Sequence, residues 1–137
     1  MEPNLVKFGT SHLEFAIDWN AVYAVEHKQP YALGAWTITI HAAFPGDRVF
    51  RKKIEDASVV SAVWAFTKSK ESGLELSENL AVDMKRVCHI EPVVAEESET
   101  SPNQMADIVF SLEKGTMKLT VPIDCAKGFL QRIEPKR

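Results

Sequence analysis

The sequence predicts an α+β protein made of an internally duplicated β-β-β-β-α unit, in which antiparallel sheets are each backed by one amphipathic helix. Two observations lead to this fold. Residues 15–26 and residues 80–91 are similar to each other. Each of these segments is then followed by alternating strands, a turn and a helix in the same order. We expect a single compact domain over residues 1–137, with repeat one at about 11–72 and repeat two at about 74–134.

The two segments are similar in residue type and in the order of the elements that follow them, more than in residue identity. Identical residues occupy four of the twelve positions: Ala16 and Ala81, Asp18 and Asp83, Val22 and Val87, Glu26 and Glu91. Four further positions are apolar in both copies: Phe15 and Leu80, Ile17 and Val82, Trp19 and Met84, Val25 and Ile90. The conserved order of elements is therefore the stronger reason to expect a duplication.

The first half predicts four strands and one helix. Leu13, Phe15 and Ile17 alternate with polar or small residues, as in a half-buried strand, and residues 18–20 supply turn chemistry. Further strands are expected at residues 22–27, 36–41 and 48–54, the last two joined by a turn at 45–47. A helix is expected at about 57–70, because apolar residues recur at helical spacing after Asp56, a good N-cap residue.

The second half predicts the same series. Strands are expected at residues 80–82, 87–90, 108–112 and 116–121, with turns at Asp83 and at residues 114–115. A helix should follow Pro122, with an apolar stripe made of Ala126, Phe129, Leu130 and Ile133.

Composition indicates a globular protein and gives little information about chemistry. The chain is 45% hydrophobic and 26% charged, and no apolar run is long enough to span a bilayer. We expect no secretory signal, a cytoplasmic location, no membrane partner, and reduced packing roles for Cys88 and Cys125. The net charge of −3 is uneven: residues 1–70 carry 8 basic and 7 acidic side chains, residues 71–137 carry 8 and 12.

The leading functional expectation is a non-enzymatic protein-binding module, such as an adaptor, inhibitor or immunity-type protein, that acts through surface complementarity. An acidic loop with Glu96, Glu97 and Glu99 would suit a basic partner. Trp19, in a predicted turn, and Tyr31, in a predicted loop, are candidate interface anchors, whereas Trp36 and Trp64 are expected in the core.

Nucleic-acid binding is the first alternative. Arg48, Arg51, Lys52 and Lys53 would place four cations along one predicted strand, where they could contact phosphates. Basic residues on an edge strand also serve simply to prevent edge-to-edge aggregation.

A small-ligand or catalytic site between the two repeats is the second alternative. The four histidines, His12, His27, His41 and His89, are scattered and form no metal-binding or catalytic motif, so we expect no enzyme activity, metal or cofactor. Asp18 and Asp83 are better explained as turn residues than as paired acid–base groups. A homodimer formed by sheet extension is a further expectation.

Overall fold

The structure, a computed structural model, describes residues 4–9, 14–29, 34–93 and 104–133. The first half contains β1 (Leu5–Gly9), β2 (Glu14–Asp18), β3 (Val22–Lys28), β4 (Thr37–Phe44), β5 (Arg48–Ile54) and α1 (Ala57–Lys68). The second half contains β6 (Glu75–Ser77), β7 (Leu80–Val82), β8 (Val87–Pro92), β9 (Met105–Ser111), β10 (Thr116–Pro122) and α2 (Ile123–Leu130). Short 3-10 helices occupy Trp19–Ala21, Lys70–Ser72 and Met84–Arg86.

All strand pairs in the described residues are antiparallel, and they form three sheets. The largest sheet has the order β5-β4-β3-β7-β6, so it contains strands from both halves. A second sheet has the order β10-β9-β8, and within the described part of the chain β1 pairs with β2 alone. The predicted mixed α+β class with antiparallel sheets is therefore confirmed.

Several element boundaries differ from the sequence-based prediction. Each half has a strand that the sequence did not predict, β1 and β6, which pair with β2 and β7 respectively. The expected helix at 57–70 ends at Lys68 and is followed by a separate 3-10 helix. The strand expected at 36–41 is β4 and continues to Phe44, and the one expected at 108–112 is β9 and begins at Met105.

Strand β3 lies between two hydrophobic cores. Val22 and Val25 belong to the core covered by α1, whereas Tyr23 and Ala24 belong to the core that contains Phe110 and the α2 side chains. The neighbours Tyr23 and Ala24 share a core because the register with β4 shifts between Val22 and Ala24, which interrupts the usual alternation of faces. This strand is therefore common to both cores.

Helix α1 is fixed by a local cap, and helix α2 by a contact with β6. The Asp56 carboxylate accepts hydrogen bonds from the amides of Ser58 and Val59, which is the N-cap that the sequence predicted. Helix α2 approaches β6 closely at Gly128, where a Cβ atom would lie 2.0 Å from Ser77 Oγ. The Ser77 hydroxyl donates a hydrogen bond to the carbonyl of Cys125 in α2.

Hydrogen bonds between two turns connect the halves. The Asp47 carboxylate accepts hydrogen bonds from the amides of Glu113 and Lys114 at 2.7 and 2.9 Å. In return, the Glu113 carboxylate accepts a hydrogen bond from the amide of Gly46 at 3.0 Å. These bonds link the β4–β5 turn to the β9–β10 turn. Neither helix in the described part of the chain is long and apolar enough to cross a membrane.

Candidate functional site

The basic strand predicted from the sequence is β5, and it forms one edge of the five-stranded sheet. Most of its side chains are exposed, including Arg48, Arg51 and Lys53. Two apolar side chains between these cations are exposed as well, Val49 at 43% and Phe50 at 39%. The edge therefore combines positive charge with accessible apolar surface.

The cations of β5 do not form one stripe. Side chains alternate between the faces of a strand, so Arg48 and Lys52 lie on one face while Arg51 and Lys53 lie on the other. The ammonium of Lys52 lies 5.2 Å from the centroid of the Phe15 ring. The ammonium of Lys53 lies 3.5 Å from a carboxylate oxygen of Glu55. Two of the four cations thus have partners within the protein.

Arg51 is the outer end of a chain of polar contacts that leads into the sheet. Its Nε donates to His41 Nδ1 at 3.3 Å, and His41 Nε2 lies 2.7 Å from Glu26 Oε1. Because an arginine can only donate, Nδ1 must accept, so the proton of the neutral imidazole lies on Nε2 and points to Glu26. The other Glu26 oxygen is 2.6 Å from the ammonium of Lys28.

Glu26 is buried, yet these contacts keep it ionised. Burial alone would raise the pKa of its carboxyl group, but the hydrogen bonds from His41 and Lys28, together with the charge of Lys28, outweigh the effect of burial. The pKa of Glu26 therefore lies below its ordinary value.

Within the described ranges, no strand pairs with the outer edge of β5. The His27 amide donates to the carbonyl of Asn79, so the backbone groups of His27 and Val25 face β7 and those of Glu26 face β4. The same alternation along β4 turns the backbone groups of Ile40 and Ala42 towards β5. The N–H and C=O groups of Val49, Arg51 and Lys53 consequently point outward, away from the sheet.

A concave surface flanks each face of this edge. On the Lys53 face is a cleft of about 700 Å³, lined by residues of both halves, among them Glu26 and Thr39 with Asn79 and Thr120. On the Lys52 face is a pocket of about 200 Å³, lined by Phe15, Ile54 and Val59 among others. Of the residues of β5, Lys53 lines the cleft, and Lys52, Lys53 and Ile54 line the pocket.

Of the proposed anchors and acidic residues, Trp19 alone lies in the described part of the chain. It is 4% exposed, packs against Phe8 and Phe66, and donates its indole N–H to the carbonyl of Ser72 at 2.9 Å. Trp19 is thus a core residue in this structure and offers a partner no surface. Tyr31, Glu96, Glu97 and Glu99 lie outside the described residues.

The expected core position of Trp36 is corrected by the structure. Trp36 is 39% exposed and stacks on His27, which stacks on Trp64 on its other side, with ring centroids 4.5 and 4.6 Å apart. Burial, and then the nearby charge of Lys68, lower the pKa of His27 below its ordinary value. His27 and Trp36 line both the cleft and a neighbouring groove, and Trp64 lines the groove.

The cysteines and the remaining candidate acid–base groups have simple structural roles. Cys88 is exposed, which corrects its expected packing role, whereas Cys125 is partly buried and burial raises the pKa of its thiol. Asp18 and Asp83 accept hydrogen bonds from the amides of Asn20 and Lys85, so both cap a 3-10 helix, as the turn interpretation predicted. The described ranges hold no cluster of three or more metal-ligating side chains.

Comparisons with protein-family models, with curated proteins and with solved structures found no match to this chain. Its function must therefore be inferred from its own residues.

Proposed function

We propose that the protein is a non-enzymatic protein-binding module, and that it binds by adding an extended, acidic segment of its partner to the edge of β5. One observation carries the proposal: a seven-residue edge strand exposes Val49 and Phe50 between cations. Strand addition uses free main-chain groups for affinity and side-chain pockets for specificity. The outward-facing groups of Val49, Arg51 and Lys53, and the concavities on both faces, supply these two elements.

Exposed apolar side chains and the placement of the cations distinguish strand addition from simple protection of the edge. Basic residues on an edge discourage pairing with other edges, but a protected edge has no need of exposed apolar side chains. The cations on both faces of β5 favour acidic side chains on both faces of an added strand. The basic partner expected for Glu96, Glu97 and Glu99 stays a prediction, because those residues lie outside the described ranges.

We also propose that the two halves arose by duplication. Three features beyond the sequence support this. In the residues that the structure describes, each half has five strands and a helix in the same order, Asp18 and Asp83 cap equivalent 3-10 helices, and equivalent register shifts occur at Val22/Ala24 and Val87/His89. The cleft lined by both halves then lies between the repeats.

The test uses the tagged full-length protein as bait in a lysate of its native cells, with and without nuclease, read by mass spectrometry. Val49→Pro removes an outward-facing amide without removing a bond to β4, whereas Val49→Thr keeps that amide and serves as the matched control. We expect a partner that survives nuclease, binds the wild type and Val49→Thr, and is lost with Val49→Pro.

A second experiment distinguishes protein binding from nucleic-acid binding through the four cations of β5, which are exposed or partly exposed. Binding of a fluorescent 20-base-pair DNA duplex should be weak and should change little in Val49→Pro, which keeps all four charges. If instead recovery depends on nucleic acid and falls when Arg48 and Lys53 become alanine, strand addition is excluded and the nucleic-acid alternative replaces it.

A further inference from the structure

Strands β2 and β8 each leave one edge unpaired in the described residues. Strand β3 pairs with β4 on one side and β7 on the other. Among the strands that the structure describes, its counterpart β8 pairs with β9 alone, and β2, the counterpart of β7, pairs with β1 alone. We call these two open edges, together, the seam.

The proposed duplication, on which this inference rests, defines which residues would meet across the seam. In the existing pair, Val25 lies opposite Ala81 and Ala24 lies opposite Val82. The counterparts of Val25 and Ala81 are Ile90 and Ala16. The same register would therefore place Ile90 opposite Ala16 in an antiparallel pair.

Backbone groups on both edges point into the seam. The Val93 amide donates to the carbonyl of Met105, so the alternation along β8 turns the N–H and C=O of Ile90 away from β9. The Trp19 amide donates to the carbonyl of Asn4, so the same rule turns the N–H and C=O of Ala16 away from β1. Pro92 has no N–H, which limits the pairing to the part of β8 before it.

A side-chain contact joins the 3-10 helix that follows β2 to the 3-10 helix that precedes β8. The guanidinium of Arg86, the last residue before β8, donates to the carbonyls of Asn20 and Ala21, which lie between β2 and β3. Asp18 and Arg86 also line the same cavity of about 430 Å³. Such a tether gives β2 a high effective concentration at β8. Strand β2 of the same molecule is therefore favoured at this edge over β2 of a second molecule.

Residues of the two seam strands are more exposed than their counterparts on the paired strands β3 and β7. Tyr23 and Ala24 in β3 are fully buried, whereas Cys88 and His89 at the equivalent positions of β8 are exposed. Ala81 is fully buried, whereas its counterpart Ala16 is exposed. These differences coincide with the missing strand pair.

We propose that the seam closes within one molecule: β2 pairs with β8, Ala16 opposite Ile90, and joins two sheets into one with the order β10-β9-β8-β2-β1. This sheet repeats the order β5-β4-β3-β7-β6 of the other one. The open form exposes two strand edges and the closed form removes them, so the seam is a conformational switch for access to these edges, separate from the β5 edge.

The first test is a disulfide across the seam. In a Cys88→Ser, Cys125→Ser background, Ala16→Cys and Ile90→Cys should form a bond within one chain under mild oxidation, detected by non-reducing mass spectrometry of the monomer. The control pair, Ala16→Cys with His89→Cys, should not, because neighbouring side chains point to opposite faces. A disulfide between two chains, or none in the Ala16/Ile90 pair, overturns closure within the molecule.

The second test uses the wild-type protein, so it does not depend on the folding of a variant. Hydrogen exchange of the Ala16 and Ile90 amides should be slowed by about tenfold or more relative to unstructured amides, since closure gives both a partner. Exchange of both amides at the unprotected rate overturns the proposal, and so does protection that appears only as the protein becomes dimeric.

Discussion

Glu26 and Glu91, which the proposed duplication makes counterparts, have different roles because their surroundings differ. Glu26 lies on a central strand, where it is buried and accepts from His41 and Lys28. Its counterpart Glu91 lies on an open strand and makes an exposed contact with His89 at 3.3 Å. A buried carboxylate must be paired to stay charged, whereas an exposed one is solvated by water.

We predict that Glu26→Gln destabilises the protein at neutral pH and removes part of its pH dependence. The pKa of Glu26 is lowered by folding, so its contribution is complete above its unfolded pKa and is lost as pH falls through the folded pKa. Urea unfolding at pH 7 should give a loss of about 1–3 kcal/mol, as expected for hydrogen bonds to a charged group, and the loss should shrink in acid.

Glu91→Gln is the matched control for that measurement, since its carboxylate is exposed, and it should change stability by less than about 0.5 kcal/mol. A constant difference between Glu26→Gln and the wild type at neutral and acidic pH would contradict the proposed origin of the pKa shift.

The packing of α2 against β6 depends on the absence of one side chain. Gly128 lets the helix approach β6 so closely that an added Cβ would lie 2.0 Å from Ser77 Oγ and 2.8 Å from Ser77 Cβ. Ser77 cannot move freely, because its hydroxyl is bonded to the Cys125 carbonyl. The helix position is thus set by a contact with a strand of only three residues.

We predict that Gly128→Ala lowers the free energy of unfolding by about 1–3 kcal/mol through overpacking. The cost should be smaller in a Ser77→Gly background, where both clashing atoms are gone, so a double-mutant cycle should show favourable coupling. Gly115→Ala, whose Cβ would meet no heavy atom within 4 Å, is the control. Strict additivity of the Ser77 and Gly128 changes would argue against the close contact.

Elements that depend on near neighbours were predictable from the sequence. The Asp56 cap and the turns at Asp18 and Asp83 involve bonds to amides two or three residues away, which residue type and spacing reveal. Strand β6 was missed because three residues are too few to show a period. The contact of His41 with Glu26 was missed because it joins residues 15 positions apart on adjacent strands.

Strand β3 couples the two halves of the molecule. It contributes to both hydrophobic cores and pairs with β7 of the second half. The turns at Asp47 and Glu113 form an additional connection at another point. Loss of one core would leave β3 without the packing on one of its faces, so unfolding of either half should destabilise the other.

We predict a single cooperative unfolding transition. Tryptophan fluorescence reports the first half, which contains all three tryptophans, Trp19, Trp36 and Trp64. Pulsed thiol labelling of the partly buried Cys125, in a Cys88→Ser variant, reports the second half. The two urea midpoints should coincide. Labelling of Cys125 well below the fluorescence midpoint would show that the halves unfold independently.

The pairing of β3 with β7 also has a consequence for how the chain can be divided. The halves are joined covalently by the short segment between α1 and β6, whereas the sheet itself is joined there by hydrogen bonds such as the one from His27 to Asn79. A chain cut after Gly73 yields two fragments, one with an unpaired β3 edge and the other with the strand that fits it. Such fragments are suited to reassemble as a split-protein pair, whose reconstitution would report on the proximity of any two proteins fused to them.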